Sequence, residues 1–163
     1  KISISIIGES REHCIIIGGL WMTGNKKVVI HVNDLTLRNS KAVGVNGDGR
    51  ASFHLDNVSV ENSEHTGVAV RGTKDNSMKN CQISHSKQSG LYVGRGGLIK
   101  IDGNATTIHH NVIGRGSCYG LYTKYSSSIL LVSPLTMESI SINNDGGRNY
   151  GGEGTIKRFK NNK

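Results

Sequence analysis

The chain has 163 residues, 22 of them glycine and one proline, and a formal net charge of +8. This length suits one domain with a continuous core, and scarce proline combined with periodic Ile, Val and Leu argues against a disordered glycine-rich chain. No window approaches about 18 uninterrupted apolar residues, so no transmembrane span is expected. The three cysteines show neither the even count of a disulfide framework nor the spacing of a zinc site.

Residues 1–27 contain short strand-like runs that do not match the rest of the chain. Ile2, Ile4 and Ile6 alternate with polar residues, which is the period-2 pattern of a half-buried strand. A second run of β-branched residues, at 14–17, is followed by a glycine pair. Because the terminal repeats of stacked proteins are commonly atypical, we interpret residues 1–27 as an N-terminal coil or cap.

A 23-residue repeat begins at Val28. Apolar residues recur at this interval at Val32, Leu55, Met78 and Ile101, and each unit also carries a glycine followed by Val or Leu. Each unit predicts three short strands joined by turns rich in Asn, Asp, Gly and Ser. Strands this short are stable only when paired with the equivalent strands of the next coil, which makes the sheets parallel. The pattern therefore predicts an all-β parallel solenoid of about five to six coils.

The regular coils are expected to end at residue 142. The unit that begins at Ile101 has an insertion near residues 112–118, which we expect to protrude as a loop. In the next unit, we expect Val132 to take the position of Val32 and Met137 that of Leu37. Residues 143–163 are interpreted as a C-terminal loop and a basic tail, with a short last strand at Thr155.

The period, strand lengths and turn residues of residues 28–142 resemble those of the right-handed parallel β-helix family, the pectate-lyase-like superfold. A weaker resemblance is to repeat proteins of algae and of their large DNA viruses. The first resemblance implies a single β-helix domain over residues 1–163. It leaves the activity open, because this superfold hosts lyases, hydrolases, epimerases, viral fibre proteins and non-catalytic modules.

In such a fold, residues 23 apart lie above one another, so the repeat also arranges polar side chains in ladders. Asn39 and Asn62 share a position with His85, and we interpret them as buried amides that hydrogen bond along the axis. His31 and His54 share another position, flanked by inward-facing residues, which predicts an outward-facing pair. The third residue at that position is Ser77, so we expect no metal site there.

A second ladder carries Asp56, Lys79 and Asp102, whose charges alternate. The favoured interpretation is a set of surface ion pairs, each contributing about 0–1 kcal/mol. The alternative follows from the resemblance, since lyases of that superfold hold Ca²⁺ with carboxylates and use Lys or Arg as the base. These three residues are the catalytic candidates under that alternative alone. Otherwise we expect no catalytic residue, metal or cofactor.

Aromatic and cationic residues gather between residues 71 and 125. Two tyrosines occupy the outward position of the third strand in successive units, and arginines follow the same strand. Exposed aromatic rings beside cations suit stacking on sugar rings and pairing with carboxylates. The competing interpretation is that the tyrosines fill space beneath the inserted loop. The candidate ligand-binding residues are Tyr92, Tyr122, Tyr125, Arg71, Arg95 and His109.

These patterns favour a non-catalytic β-helix module that binds glycan, serves as a structural component of a larger fibre- or capsid-associated assembly, or does both. The alternative is a polysaccharide lyase, epimerase or hydrolase acting on an acidic glycan. The expected partners are glycan or neighbouring protein subunits, including further copies of the chain. Nucleic acid is not expected, because no nucleic-acid-binding motif accompanies the basic tail. An extracellular or virion-associated location is favoured.

Overall fold

The computed structural model describes residues 2–114 and 116–160. Its described part is a parallel β-solenoid of about seven turns, somewhat more than the five to six predicted. Each turn contributes two successive strand segments to one sheet, sheet A, and one strand to a second sheet, sheet B. The strands are short and rich in β-branched residues, so each is held by its neighbours in the turns above and below.

Within the described residues, sheet A has eleven strands and sheet B has six. Sheet A contains β1 (Ile2–Ile7), β2 (Ile15–Ile17), β4 (Val28–Arg38), β6 (Ala51–Glu61), β8 (Asn76–Lys79), β9 (Gln82–Ser84), β11 (Leu98–Asp102), β12 (Thr107–His109), β14 (Ser128–Val132), β15 (Ser141–Ile142) and β17 (Thr155–Phe159). Sheet B contains β3 (Leu20–Met22), β5 (Val45–Asp48), β7 (Val68–Arg71), β10 (Leu91–Gly94), β13 (Leu121–Thr123) and β16 (Tyr150–Gly152). A single-turn helix, α1 (Met137–Ile140), and a 3₁₀ turn (Asp145–Gly147) interrupt the later coils.

The register of sheet A follows the 23-residue repeat through the first four predicted units. Val32 pairs with Leu55, Leu55 with Met78, and Met78 with Ile101, and all four side chains are buried in the core. Ile101 then pairs with Leu131, so the predicted place of Val132 is wrong by one residue. The insertion in this coil breaks the period, and spacing alone therefore no longer fixes the register.

The predicted place of Met137, in the position of Leu37, is also wrong. The column that starts at Leu37 continues through Ile108 to Ser141, and Met137 lies in α1 outside it. Thr136 caps this helix by accepting a hydrogen bond from the Ser139 backbone N–H at 3.1 Å. The helix therefore adds residues between β14 and β15, and the strand position passes to Ser141.

Two columns of residues in the left-handed backbone conformation form corners of the coils. Asn, Asp and His tolerate this conformation better than other residues with a Cβ, which explains their recurrence at these turns. The first column is Asp34, Asn57, Asn80 and Gly103, and the second is Asn39, Asn62, His85, His110 and Asn143. The second column is exposed at its first three residues, so our prediction of buried amides there is wrong.

The buried polar column lies one residue further along the chain. It consists of Ser40, Ser63, Ser86, Asn111 and Asn144. The Asn111 amide accepts from the Ser86 N–H at 3.0 Å and donates to the Ile83 carbonyl at 3.1 Å. The Asn144 side chain in turn accepts from the Asn111 N–H at 3.0 Å. Buried backbone groups of neighbouring coils thus find partners at a corner where no sheet hydrogen bond is available.

Strands continue towards both ends of the described chain. In the region interpreted as an N-terminal coil or cap, β1 and β2 pair with β4, and β3 pairs with β5. In the region interpreted as a loop and basic tail, β16 pairs with β13 and β17 with β14, and β17 begins at the predicted Thr155. Across residues 2–114 and 116–160, no helix is long and apolar enough to cross a membrane.

Candidate functional site

Four of the candidate binding residues line one groove on the outer face of sheet B. The groove has a volume of about 280 Å³, and Arg71, Tyr92, Arg95 and Tyr122 are among its lining residues. Tyr92 pairs with Tyr122 across β10 and β13, and Arg71 ends β7, opposite Gly94. Each of these side chains lies on or next to the third strand of its coil, and the parallel pairing of those strands brings them together.

The two groove tyrosines contact each other edge to face. Their ring centroids are 5.7 Å apart with the ring planes at 67°. The Tyr119 ring lies on the other side of Tyr122, at 5.4 Å and 51°. Both groove tyrosines are half-buried, so part of each ring is held by its neighbours and part is open to the groove. Held rings of this kind lose little conformational entropy when a ligand stacks on them.

Cationic side chains border the same tyrosines. Lys124 Nζ lies 5.7 Å from the centroid of the Tyr122 ring, and a hydrogen bond to Tyr122 is the main cause of the raised pKa of this lysine. Arg95 Nη1 lies 3.8 Å from the Asp48 carboxylate. Within the described residues, no carboxylate lies within 4.0 Å of the Arg71 guanidinium. The groove therefore carries positive charge that is only partly neutralised.

The other two candidate binding residues lie outside this groove. Tyr125 is 60 % exposed and follows β13, with Lys124 Nζ 5.8 Å from its ring centroid. His109 lies on β12 of sheet A, in a cluster with His85 and His110. Neither residue belongs to a strand of sheet B, and both lie outside the groove.

The three histidines form a compact group at a corner of the coil. The rings of His85 and His110 stack at 5.5 Å, and His109 Nδ1 lies 2.7 Å from His110 Nδ1. Gln82 Nε2 lies 2.9 Å from His109 Nε2. Burial lowers the pKa of His109, and positive charge on the other two histidines lowers it further. Among the residues described, no group of three or more His, Cys, Asp or Glu is arranged to hold a metal ion.

The catalytic candidates lie on the outer face of sheet A. Lys79 Nζ is 3.8 Å from the Asp56 carboxylate, and Lys79 pairs in register with Asp102. Both partners of this ion pair are about half exposed, so the contact contributes little to stability. Lys79 and Asp102 also line a wider groove, of about 480 Å³, that extends from His54 to Phe159.

A family model described as right handed beta helix region matches residues 18–163. The chain belongs to the right-handed β-helix family. Comparisons with curated proteins and with solved structures gave no significant match. Membership in the right-handed β-helix family accounts for the parallel solenoid but not for a ligand, because folds of this kind carry unrelated functions.

The sheet A groove of this β-helix contains residues that the sequence did not single out. In the column of residues 23 apart, His54 lies between His31 and Ser77. The rings of His31 and His54 stack, with their centroids 5.0 Å apart and their planes at 27°. Asp75 and Phe159 could not be placed, since the first lies in a turn and the second on a strand of the expected tail. The signal that could have found the groove is the alternation of side chains along the paired strands.

Proposed function

We propose that this β-helix protein binds an acidic glycan in the sheet B groove. The observation that carries the proposal is the position of two tyrosine rings and two guanidinium groups around one groove. Tyrosine rings offer flat apolar faces for sugar rings, and arginine pairs with carboxylates through two parallel hydrogen bonds. A uronic acid carries both features, a pyranose ring and a carboxylate, on the same residue.

The shape of the groove also supports binding to a polymer. Its volume of about 280 Å³ lies just below the range of roughly 300–1,000 Å³ that is common for sites enclosing small molecules. An open groove of this size contacts one part of a chain and lets the rest continue into solvent. The positive charge along its border favours anionic over neutral chains and speeds their association.

A glycan array comparing uronate-containing, sulfated and neutral oligosaccharides tests the proposal. We expect binding to the acidic glycans, and at least about tenfold weaker binding by Tyr92→Ala, which corresponds to about 1.4 kcal/mol. Tyr125→Ala is the matched control, because it removes an exposed tyrosine outside the groove. Unchanged binding by Tyr92→Ala, with a native circular dichroism spectrum, would show that the groove is not the site.

The enzymatic alternative is tested in the same samples. A lyase that uses Asp56, Lys79 and Asp102 would produce unsaturated uronates, which absorb in the ultraviolet. Our proposal of glycan binding without lyase activity expects no calcium-dependent rise in that absorbance on uronate polymers. If the absorbance rises with the wild-type protein but not with Lys79→Ala, the function is glycan cleavage rather than glycan binding alone.

A structural role in an assembly is a second candidate, favoured by the first turn of the solenoid. Its apolar side chains include Ile7 and Ile17, which are 67 % and 69 % exposed, and β1 and β2 pair only with β4 among the described strands. A second copy could add its β17 to this edge as a further parallel strand, which extends the stack without closing it. Light scattering should then show oligomers that dissociate in Ile17→Lys and after removal of residues 148–163. A monomer at every concentration would exclude this role.

A further inference from the structure

Three side chains with complementary chemistry meet on the outer face of sheet A, away from the sheet B groove. Ser77 on β8 pairs in register with His54 on β6, so their side chains lie next to each other. Asp75 lies two residues before Ser77, in the turn that leads into β8, and this turn brings its carboxylate to the His54 ring. The strand register and the turn before β8 therefore bring a hydroxyl, an imidazole and a carboxylate together.

The imidazole lies between the other two groups. His54 Nδ1 is 2.7 Å from Ser77 Oγ, and His54 Nε2 is 3.9 Å from Asp75 Oδ1. A carboxylate only accepts hydrogen bonds, so it favours the tautomer with the proton on Nε2. Nδ1 then accepts the hydrogen bond from the Ser77 hydroxyl. The His31 ring, stacked at 5.0 Å on the other side, restricts rotation of the His54 ring.

We propose that Ser77, His54 and Asp75 form a hydrolytic site in which Ser77 is the nucleophile, His54 the general base and Asp75 the positioning residue. A serine within hydrogen-bond reach of a base, which a third group orients, is the arrangement that activates a serine nucleophile. At 3.9 Å, Asp75 acts on the His54 imidazole through its charge rather than through a hydrogen bond. The proposal is independent of glycan binding, because the two sites lie on different sheets.

The surrounding groove indicates the class of substrate. One part of its lining is apolar and includes Leu98, Leu130 and Phe159, which suits a short acyl chain. Another part is charged, with Lys74, Lys79 and Lys100 beside Asp75 and Asp102, which leaves an excess of one positive charge. Lys100 pairs in register with Ser77, so it lies one strand spacing, about 4.8 Å, from the nucleophile's backbone. Its ammonium group is suited to stabilise the oxyanion, and an acyl ester on an anionic carrier fits the groove as a whole.

The reaction balances with water as the second reactant. Ser77 Oγ forms a bond to the ester carbonyl carbon while its proton passes to His54 Nδ1. The tetrahedral intermediate collapses, the carbon–alkoxy bond breaks, and the alcohol leaves with the proton from His54. Water then attacks the acylated Ser77 and gives a proton to His54. Collapse of this second intermediate releases the carboxylic acid and returns the proton to Ser77.

Labelling with an alkyl fluorophosphonate tests the nucleophile directly, and mass spectrometry of the digested protein locates the labelled residue. We expect a label on Ser77, formed more slowly in His54→Gln and absent from Ser77→Ala. Ser128→Ala is the control, because Ser128 is a half-buried serine on β14 of the same sheet and lies outside the cluster. Circular dichroism spectra of all variants verify that each is folded.

Hydrolysis of p-nitrophenyl butyrate tests the roles of the three residues. Ser77→Ala should lower kcat by at least about 100-fold, because it removes the nucleophile and with it the contribution of the His54 base, which is roughly 10²- to 10⁴-fold. Asp75→Asn should lower kcat while leaving KM unchanged, because Asp75 acts through His54 and not on the ester. The proposal is overturned if folded wild-type protein carries no label on Ser77, or if Ser77→Ala hydrolyses the ester as fast as Ser128→Ala.

Discussion

Replacing Asn111 by alanine should destabilise the solenoid by more than the loss of one hydrogen bond, because its side-chain amide makes several. The Asn111 side chain is fully buried, and its amide holds backbone groups of two coils. It accepts one hydrogen bond from Ser86 and donates to the carbonyls of Ile83 and His109 and to the Asn144 side chain. Alanine removes all of these contacts and leaves the Ser86 N–H buried without a partner.

The expected loss can be worked out from these contacts. Four hydrogen bonds at about 0.5–1.5 kcal/mol net each, together with a buried donor left without a partner at about 1–3 kcal/mol, come to about 3–9 kcal/mol, so we expect a loss of at least about 3 kcal/mol. Domains are stable by only about 5–15 kcal/mol, so the variant should lose a large part of its stability. The control is Asn62→Gly at the exposed left-handed corner, where glycine fits φ of 55° and the change should stay within about 0.5 kcal/mol.

Urea unfolding followed by far-ultraviolet circular dichroism compares the two variants. Because repeat proteins can unfold in parts, hydrogen exchange at the Ser86 amide gives a second, local measurement. We expect a lower unfolding midpoint and faster Ser86 exchange in Asn111→Ala. Equal midpoints for Asn111→Ala and Asn62→Gly would refute our assignment of the buried polar column as a structural element.

Three further predictions follow from the described contacts. The folded state lowers the pKa of His109 below its ordinary value of 6.5, so stability should be complete above that pH and fall as the pH drops towards the folded pKa. His109→Gln should flatten this dependence in pH-resolved thermal melts. Burial raises the pKa of the Cys81 thiol to about 11, so a thiol reagent at neutral pH should label the other two cysteines first and Cys81 only on unfolding. A Cβ at Gly67 would lie 2.4 Å from Ile83 Cγ2, so Gly67→Ala should cost about 1–3 kcal/mol in urea unfolding. A Cβ at Gly24 would meet only the Lys26 carbonyl oxygen, at 3.9 Å, so Gly24→Ala should cost less than about 0.5 kcal/mol.

The sequence was sufficient to predict the solenoid, because apolar residues at a fixed interval are the residues that pair and are buried when the coils stack. A constant interval between Val32, Leu55 and Met78 is what stacked parallel strands require, and these residues pair as predicted. The interval no longer helps where the chain inserts residues. Leu131 rather than Val132 therefore continues the column, and the resulting shift could be read only from the strand pairing.

Burial at the corners could not be predicted from residue type. Asn39 and Asn62 repeat because the backbone there is left-handed, whereas Asn111 repeats with Asn144 because their amides satisfy buried backbone groups. Both columns consist of polar residues in turns, and they differ in backbone conformation and in the direction of the side chain. A one-residue difference in position thus separates an exposed corner from a buried one.

The candidate sites were predictable where they follow the repeat and not elsewhere. Tyr92 and Tyr122 each follow a Gly-Leu pair of the 23-residue repeat, so their contact can be predicted from this motif although the insertion breaks the period between them. The same period places Ser77 beside His54, but Asp75 joins them only through the conformation of the turn before β8. Tertiary contacts that depend on turns and insertions carry no signal in the spacing of the residues.

The most direct test of acidic-glycan binding is calorimetric titration of the folded protein with a uronate oligosaccharide at two salt concentrations. Binding should weaken as salt screens the charges, and Arg71→Gln should raise Kd by about tenfold. Arg158→Gln removes the same charge from an exposed position on sheet A and should leave Kd unchanged. If Arg71→Gln binds the oligosaccharide as tightly as Arg158→Gln does, or if wild-type protein binds a neutral oligosaccharide equally well, the sheet B groove is not a site for acidic glycan.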